Sequence, residues 1–248
     1  MKKKNLSIII ILIAIVGIFA TLLITYLVNK ANEKINYDSY DITTYIDATK
    51  DNGNTPDHVK GSKDAPVLLV EYADYQCPGC AQLNPRLNSI VEEYDGKVAI
   101  IYRNFLLSYH QNGTAAASAA EAAARQGYWK DYADMLFANQ SLWEDLSGTE
   151  RTNQFVEFFN QVSNGAGDEA QFRKDMASSE VAKKISFDMG IAKMIDVPST
   201  PGIYLDGQHL DFTQNATTES AFLEFMYQHL DEKLKSLGLT PPEHASAS

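Results

Sequence analysis

The chain contains only two cysteines, and they lie two residues apart in the segment Cys77-Pro78-Gly79-Cys80. An apolar run over residues 66–70 leads into this segment, and a helix-forming sequence follows it. A CxxC pair between a buried strand and the start of a helix is typical of a redox-active dithiol. Because no other cysteine exists, the rest of the core has to be held by apolar burial without a structural disulfide.

The order of residues predicts different roles for the two thiols. Proline fits the first turn of a helix, so Cys77 should meet unpaired backbone N–H groups and the positive end of the helix dipole. Both effects lower a thiol pKa, so we predict that Cys77 is an exposed nucleophile and that Cys80, one turn later, is the buried resolving thiol. Pro78 and Gly79 should tune the reduction potential.

A zinc site is the alternative interpretation of a CxxC pair. The chain has no second CxxC, and its five histidines are scattered, which leaves such a site without its other ligands. The formal charge of −11 also argues against nucleic acid as a partner, because phosphates require a basic surface.

The amino terminus predicts a membrane anchor. Three lysines precede residues 6–28, an uncharged run of 23 residues that is long enough to span roughly 30 Å of hydrocarbon. We predict a single transmembrane helix with residues 1–5 in the cytoplasm and the remaining chain outside it. A cleaved signal peptide is the alternative, although the run exceeds the usual signal length and no good cleavage site follows. Residues 29–59 are polar and predict a flexible linker, with a short docking segment as the alternative.

A resemblance to a known family appears in residues 71–80, which read EYADYQCPGC. This segment resembles the active site of thioredoxin-fold proteins, specifically of the DsbA-like branch found outside the bacterial cytoplasm. Glu71 lies six residues before Cys77, where this superfamily carries a buried acid. Pro85 lies eight residues after Cys77, where thioredoxins carry a proline that kinks the active-site helix.

A second matching segment lies far along the chain. Residues 197–207 resemble the cis-proline segment of the family and the strand after it, with Pro201 as the cis-proline and Thr200 before it. The resemblance implies that Thr200 and Pro201 bind substrate, and that no cofactor is needed. It also implies that Glu71 is buried with a raised pKa and exchanges a proton with Cys80.

The resemblance implies an α/β thioredoxin fold with an inserted helical domain, preceded by the transmembrane helix. The domain should cover residues 60–237, with the helical insertion at about 110–195 and a polar tail over 238–248. The chain itself predicts a second strand over residues 97–103, a hairpin over 203–212 and a closing amphipathic helix over 218–237.

These features predict a membrane-anchored, extracytoplasmic thiol–disulfide oxidoreductase. The favoured activity is disulfide formation in exported proteins through Cys77 and Cys80, and the resemblance implies reoxidation by a quinone-linked membrane partner. A reductase or isomerase of the same fold stays open as an alternative. A module that binds metal or peptide through the dithiol is the alternative from another class.

Overall fold

A computed structural model of the chain describes residues 16–25, 35–212 and 218–244. Contacts divide the chain into two units, Met1–Asn36 and Tyr37–Ser248. In the first unit, residues 16–25 form a helix, α1, whose side chains are exposed. The remainder of the predicted span 6–28 lies outside the described residues. No helix within the described part of the chain has the length and apolar character needed to cross a membrane.

The second unit is built on a five-stranded mixed sheet. Its strands are β1 (His58–Lys60), β2 (Val67–Ala73), β3 (Val98–Asn104), β4 (Gly202–Leu205) and β5 (Gln208–His209). Its spatial order is β1-β3-β2-β4-β5, with β2 and β3 parallel and the other neighbours antiparallel. The two central strands are rich in valine, isoleucine and leucine and are covered on both faces, as parallel strands usually are.

Seven helices of this unit accompany the sheet in the described residues. Helix α2 (Pro78–Glu93) leads from β2 to β3 and contains Pro85, as predicted. Helix α8 (Glu219–Ser236) follows β5 and closes the domain. The other five lie between β3 and β4: α3 (Gly113–Ala124), α4 (Trp129–Ala138), α5 (Gly148–Val162), α6 (Glu169–Met176) and α7 (Ser179–Met194). The predicted α/β thioredoxin fold with a helical insertion is therefore confirmed.

Two apolar cores hold these layers together. In one, alternate side chains of β2, β3 and β4 pack against buried leucine, isoleucine, phenylalanine and methionine side chains of α2 and α8. In the other, the alanine-rich helix α3 packs against aromatic residues of α4, α5 and α6. Cys77 and Cys80 belong to this second core, so the insertion is part of the surroundings of the dithiol.

Much of the predicted linker is folded against the domain. Tyr40 packs its ring edge-on against Phe187 at 4.9 Å, and Ile46 is buried. Arg103, near the end of β3, donates to the carbonyl oxygens of Ile42 at 2.7 Å and Thr44 at 2.9 Å. A buried guanidinium needs acceptors, and this polar segment supplies them. Residues 37–57 therefore differ from the predicted flexible tether, whereas residues 29–34 lie outside the described part.

The predicted polar tail is also partly ordered. His244 stacks on Tyr227 at 3.8 Å and lies between Glu93, at 2.6 Å, and Asp231, at 3.1 Å. Residues 245–248 lie outside the described part of the chain.

Candidate active site

Cys77 occupies the N-cap position of α2, directly after the turn that leaves β2. Its pKa falls to about 5, chiefly because the Cys80 thiol donates a hydrogen bond to the sulfur. The backbone N–H groups of Gly79 and Cys80 act in the same direction, as expected at a helix start, while burial opposes them. The sulfur is therefore a thiolate at neutral pH. We predicted that Cys77 is exposed, but only 7% of its surface is accessible. Thr200 lies directly against its sulfur.

Cys80 lies one turn further along α2 and has no exposed surface. Burial raises its pKa well above the ordinary range, and its hydrogen bond to Cys77 raises it further because the donor keeps its proton. No disulfide joins the two cysteines in the structure. The start of the helix thus shifts the pKa values of two identical residues in opposite directions, and the roles of nucleophile and resolving thiol stay predictions.

The segment before β4 completes the surroundings of the thiolate. The Thr200–Pro201 peptide bond is cis, as predicted. The Thr200 carbonyl oxygen lies 3.5 Å from Cys77 Sγ and can accept the thiol proton only when Cys77 is protonated. The buried Thr200 hydroxyl has no other partner among the described residues, so it is free to donate to the thiolate, which lowers the Cys77 pKa. The roles of Thr200 and Pro201 in substrate binding stay predictions.

Gly79 allows this close approach. A Cβ added at Gly79 would lie 3.2 Å from Pro201 Cδ and 3.7 Å from Cys77 Sγ. A side chain here would push the proline segment away from the dithiol. The position of Gly79 therefore has a packing reason in addition to the tuning role that the sequence predicts.

Glu71 lies near the end of β2 and is completely buried. Neither carboxylate oxygen has a hydrogen-bond partner among the described residues. Burial raises the pKa of Glu71 to about 7, while the nearby Lys60 opposes the rise. A carboxyl group with this pKa can hold or release a proton near neutrality, although its predicted exchange with Cys80 stays a prediction.

Two further residues hold the loop before Cys77, and the sequence did not reveal either of them. Gln140, in a short 3-10 turn of the insertion, donates from Nε2 to the carbonyl oxygens of Tyr75 at 2.6 Å and Cys77 at 3.0 Å. Asp74 is fully buried and accepts from the backbone N–H of Gln76 at 2.9 Å. The position of Asp74, directly after a strand and before the CxxC pair, could have indicated its role. Gln140 lies far from the pair in sequence, and no motif marks it.

Asp74 also ties the loop to the segment after β3. Its Oδ2 accepts from the backbone N–H of Leu107 at 2.9 Å and lies 2.8 Å from Nδ1 of His110. The dithiol loop is thus fixed on one side by this carboxylate and on the other by the insertion. No group of three or more His, Cys, Asp or Glu side chains within the described ranges is arranged to hold a metal ion.

A thioredoxin fold that presents a thiolate and a buried thiol at the start of a helix defines a thiol–disulfide oxidoreductase. The model of the family described as Thioredoxin matches residues 53–224. The chain therefore belongs to the thioredoxin family.

Solved structures share this fold at low identity. Oxidised BdbD from Bacillus subtilis is 18% identical, with a TM-score of 0.57 over 79% of this chain and 100% of that chain. The α-DsbA1 protein of Wolbachia pipientis is 21% identical, with a TM-score of 0.56 over 73% of this chain and 94% of that chain. A thioredoxin-like oxidoreductase from Silicibacter pomeroyi DSS-3 is 23% identical, with a TM-score of 0.55 over 73% and 98% of the two chains.

Curated relatives are longer proteins. The Na(+)/H(+) antiporter NhaA 3 of Salinispora tropica is 31% identical over 191 residues, which cover 77% of this chain and 27% of the relative. The Na(+)/H(+) antiporter NhaA 1 of Mycolicibacterium gilvum is 32% identical over 61% of this chain and 24% of the relative. The chain therefore spans about a quarter of the length of the curated relatives that it matches.

Burial of Glu71 has a consequence for stability. Its pKa in the folded protein is about 7, compared with an ordinary value of 4.5, so folding disfavours the ionised form. The resulting loss of stability begins above pH 4.5 and is complete above pH 7. We expect Glu71→Gln to raise the free energy of unfolding by about 3 kcal/mol at pH 8 and by less than about 1 kcal/mol at pH 5.

Urea denaturation at the two pH values measures this difference. The exposed Glu157→Gln is the matched control, since its carboxyl group lies on the surface of α5 and glutamine keeps an oxygen that can accept from Nε2 of Gln161. Equal effects of Glu71→Gln at pH 5 and pH 8 would show that burial does not raise the pKa of the Glu71 carboxyl group.

Proposed function

We propose that the protein catalyses disulfide formation in exported proteins, on the extracytoplasmic side of a membrane. The lowered pKa of Cys77 favours oxidation of the substrate over its reduction. A stabilised thiolate favours the reduced dithiol over the disulfide, which makes the disulfide form a stronger oxidant. The same thiolate is also a good leaving group when a substrate displaces it.

In the oxidising direction, a substrate thiolate attacks Sγ of Cys77 in the Cys77–Cys80 disulfide. The bond between the two cysteines breaks, a mixed disulfide forms, and Cys80 leaves as a thiolate. Glu71, when protonated, supplies the proton that converts Cys80 to a thiol. A second substrate thiolate then attacks the substrate sulfur, so that the substrate disulfide forms and Cys77 leaves as a stabilised thiolate.

Substrate is proposed to lie along the segment before β4. The Thr200 backbone is next to the Cys77 sulfur, where an extended peptide with a cysteine would have to pass. The dithiol that remains after turnover has to be reoxidised, and we propose a membrane-bound redox partner for this step.

The reduction potential of the Cys77–Cys80 pair tests whether the protein oxidises or reduces its substrates. The pKa of Cys77, about 5, lies between those of thioredoxin, about 7, and DsbA, about 3.5. The potential of thioredoxin is about −270 mV and that of DsbA about −120 mV. Each unit of difference in thiol pKa corresponds to about 30 mV, so this protein should have a potential of about −210 mV reckoned from thioredoxin and about −165 mV reckoned from DsbA. Equilibration with glutathione buffers measures this value. A potential near −270 mV would contradict the oxidising direction and favour a reductase.

The membrane anchor is part of the proposal. The uncharged run over residues 6–28 supports it, and the three lysines before the run support a cytoplasmic amino terminus. We expect the full chain to remain with membranes after carbonate washing and a chain lacking residues 1–28 to be released with its thiol chemistry intact. Release of the full chain at reduced mass would instead indicate a cleaved signal peptide.

A further inference from the structure

Gln140 extends from the helical insertion to the backbone of the dithiol loop. Both hydrogens of its Nε2 are used, one on the Tyr75 carbonyl oxygen at 2.6 Å and one on the Cys77 carbonyl oxygen at 3.0 Å. The Cys77 carbonyl oxygen also accepts from the backbone N–H of Ala81 at 3.1 Å, and its two lone pairs allow both bonds. Two neighbouring carbonyl acceptors require a donor with two hydrogens, which the amide of glutamine supplies.

The 3-10 turn that contains Gln140 is itself anchored in the core of the insertion. Trp143, three residues later, is fully buried and donates from Nε1 to the Leu136 carbonyl oxygen of α4 at 3.0 Å. The backbone N–H groups of Trp143 and Glu144 both donate to the Gln140 carbonyl oxygen, at 3.0 and 2.9 Å. The backbone of Gln140 is therefore fixed, so its amide ties the loop to a rigid part of the insertion.

A second glutamine makes the opposite connection, from the loop to the insertion. Gln76 directly precedes Cys77, and both polar atoms of its amide bind backbone groups. Its Oε1 accepts from the N–H of Asn112 at 2.6 Å, and its Nε2 donates to the Glu144 carbonyl oxygen at 3.1 Å. Asn112 also donates from Nδ2 to that carbonyl oxygen, at 2.8 Å. The two partners of Gln76 are thus tied to each other as well.

The backbone conformation of Cys77 decides which donors its sulfur meets. Cys77 is extended, with φ −76° and ψ 120°, at the N-cap position of α2. In this conformation the sulfur meets the backbone N–H groups of Gly79 and Cys80 and the hydroxyl of Thr200. A change in ψ of Cys77 would turn the first turn of α2 away from the sulfur. It would also move the carbonyl oxygen that Gln140 holds, so the hydrogen bond from Gln140 opposes this change.

We propose that Gln76 and Gln140 are positioning residues for thiol–disulfide exchange, and that together they hold the dithiol loop so that the Cys77 sulfur stays against its donors. We call this pair the glutamine clamp. It acts through the backbone of residues 75–77, and it gives the insertion a part in the reaction. The inference rests on the proposed thiol–disulfide exchange and names residues that support it.

The step that depends on the glutamine clamp is the exchange at the Cys77 sulfur. The Cys77 thiolate attacks one sulfur of a substrate disulfide, a bond forms between these two sulfurs, and the substrate S–S bond breaks. The other substrate sulfur leaves as a thiolate. The oxidising direction ends with the reverse of this step, in which Cys77 leaves as the thiolate. In both directions, a Cys77 sulfur without its donors is a less stable thiolate.

Two variants remove the glutamine clamp from either side. Gln140→Met and Gln76→Met abolish the hydrogen bonds and keep the length of the side chain. We expect each variant to raise the pH midpoint of Cys77 ionisation, about 5 in the wild type, by about one unit, which slows alkylation at pH 5 about five-fold. Because both glutamines hold the same loop, the double variant should shift the midpoint by less than the sum of the single shifts.

The measurement is the rate at which iodoacetamide alkylates Cys77 in the reduced full-length protein between pH 3 and pH 9, together with turnover of a fluorescent peptide disulfide. Gln161→Met is the matched control, because Gln161 lies on the surface of α5, where its amide donates to Glu157 at 3.3 Å. It should leave the midpoint at the wild-type value. Urea denaturation reports stability separately, since a structural role alone would lower stability without moving the midpoint.

The outcomes separate the inference from the function. Midpoints that rise in Gln140→Met and Gln76→Met but not in Gln161→Met support the inference. A midpoint that stays at the wild-type value in Gln140→Met overturns it, and single shifts that add fully in the double variant contradict a shared clamp. If Gln140→Met does not fold, Gln76→Met decides by the same criterion. Alkylation needs no exchange substrate, so absence of turnover in the wild type contradicts the proposed function and not the midpoints.

Discussion

Replacing Cys77 by serine is expected to abolish thiol–disulfide exchange, whereas replacing Cys80 by serine should stop the reaction halfway. Cys77 is the only thiol with a lowered pKa, so its loss removes the nucleophile. Without Cys80, a Cys77 thiolate still attacks a substrate disulfide but cannot be released by the resolving thiol. Turnover of a peptide disulfide, followed by non-reducing mass analysis, distinguishes the two variants.

The two variants serve as controls for each other, because each removes one sulfur from the same helix. The Cys80→Ser variant should retain a covalently bound substrate that a reductant releases. Comparable turnover by the Cys77→Ser variant and the wild type would place the chemistry elsewhere. Covalent capture by Cys77→Ser instead of Cys80→Ser would reverse the roles assigned to the two thiols.

Loss of the buried guanidinium of Arg103 should destabilise the fold more than loss of any surface charge. Arg103 Nη2 lies 2.7 Å from Asp57 Oδ2, and both side chains are completely buried. Arg103→Met leaves Asp57 with Lys184, at 3.0 Å, and the backbone N–H of Ile46, at 3.1 Å. It also leaves the carbonyl oxygens of Ile42 and Thr44 without their donor. We expect the free energy of unfolding to fall by about 3–5 kcal/mol, as for other broken buried ion pairs.

Urea denaturation measures this loss, and Arg173→Met provides the matched control. Arg173 pairs with Glu169 at 2.9 Å on the surface, so its replacement should cost no more than about 0.5 kcal/mol. Limited proteolysis should also cleave residues 37–57 more readily in Arg103→Met, because Arg103 holds this segment. Equal stability of the two variants would show that the segment is not fixed by this network.

Short motifs made the reaction site predictable. The placement of Cys77 at a helix start follows from Pro78 and the preceding strand, and helix electrostatics then distinguish its thiol from Cys80. The cis bond before Pro201 and the burial of Glu71 follow from the resemblance. Each of these features depends on a few consecutive residues, so the sequence carries them directly.

Contacts between distant segments were not predictable in this way. Lys60, Asn84 and Asp134 come from a strand, the active-site helix and the insertion, and only the folded chain brings them together. The polar composition of residues 37–57 indicated a linker. Two of the acceptors that this segment gives to Arg103 are backbone carbonyl oxygens, which any sequence supplies, and the third is the carboxylate of Asp57. An arginine directly after the apolar residues of β3 was a signal that some segment had to cover it.

The central claim is that this fold makes Cys77 a thiolate and keeps Cys80 a thiol at neutral pH. The rate of alkylation of each cysteine by iodoacetamide, followed by peptide mass analysis between pH 3 and pH 10, measures both ionisations in the reduced protein. We predict a midpoint near pH 5 for Cys77 and no alkylation of Cys80 at neutral pH. A Cys77 midpoint near 8.5, the value of an ordinary thiol, would contradict the account.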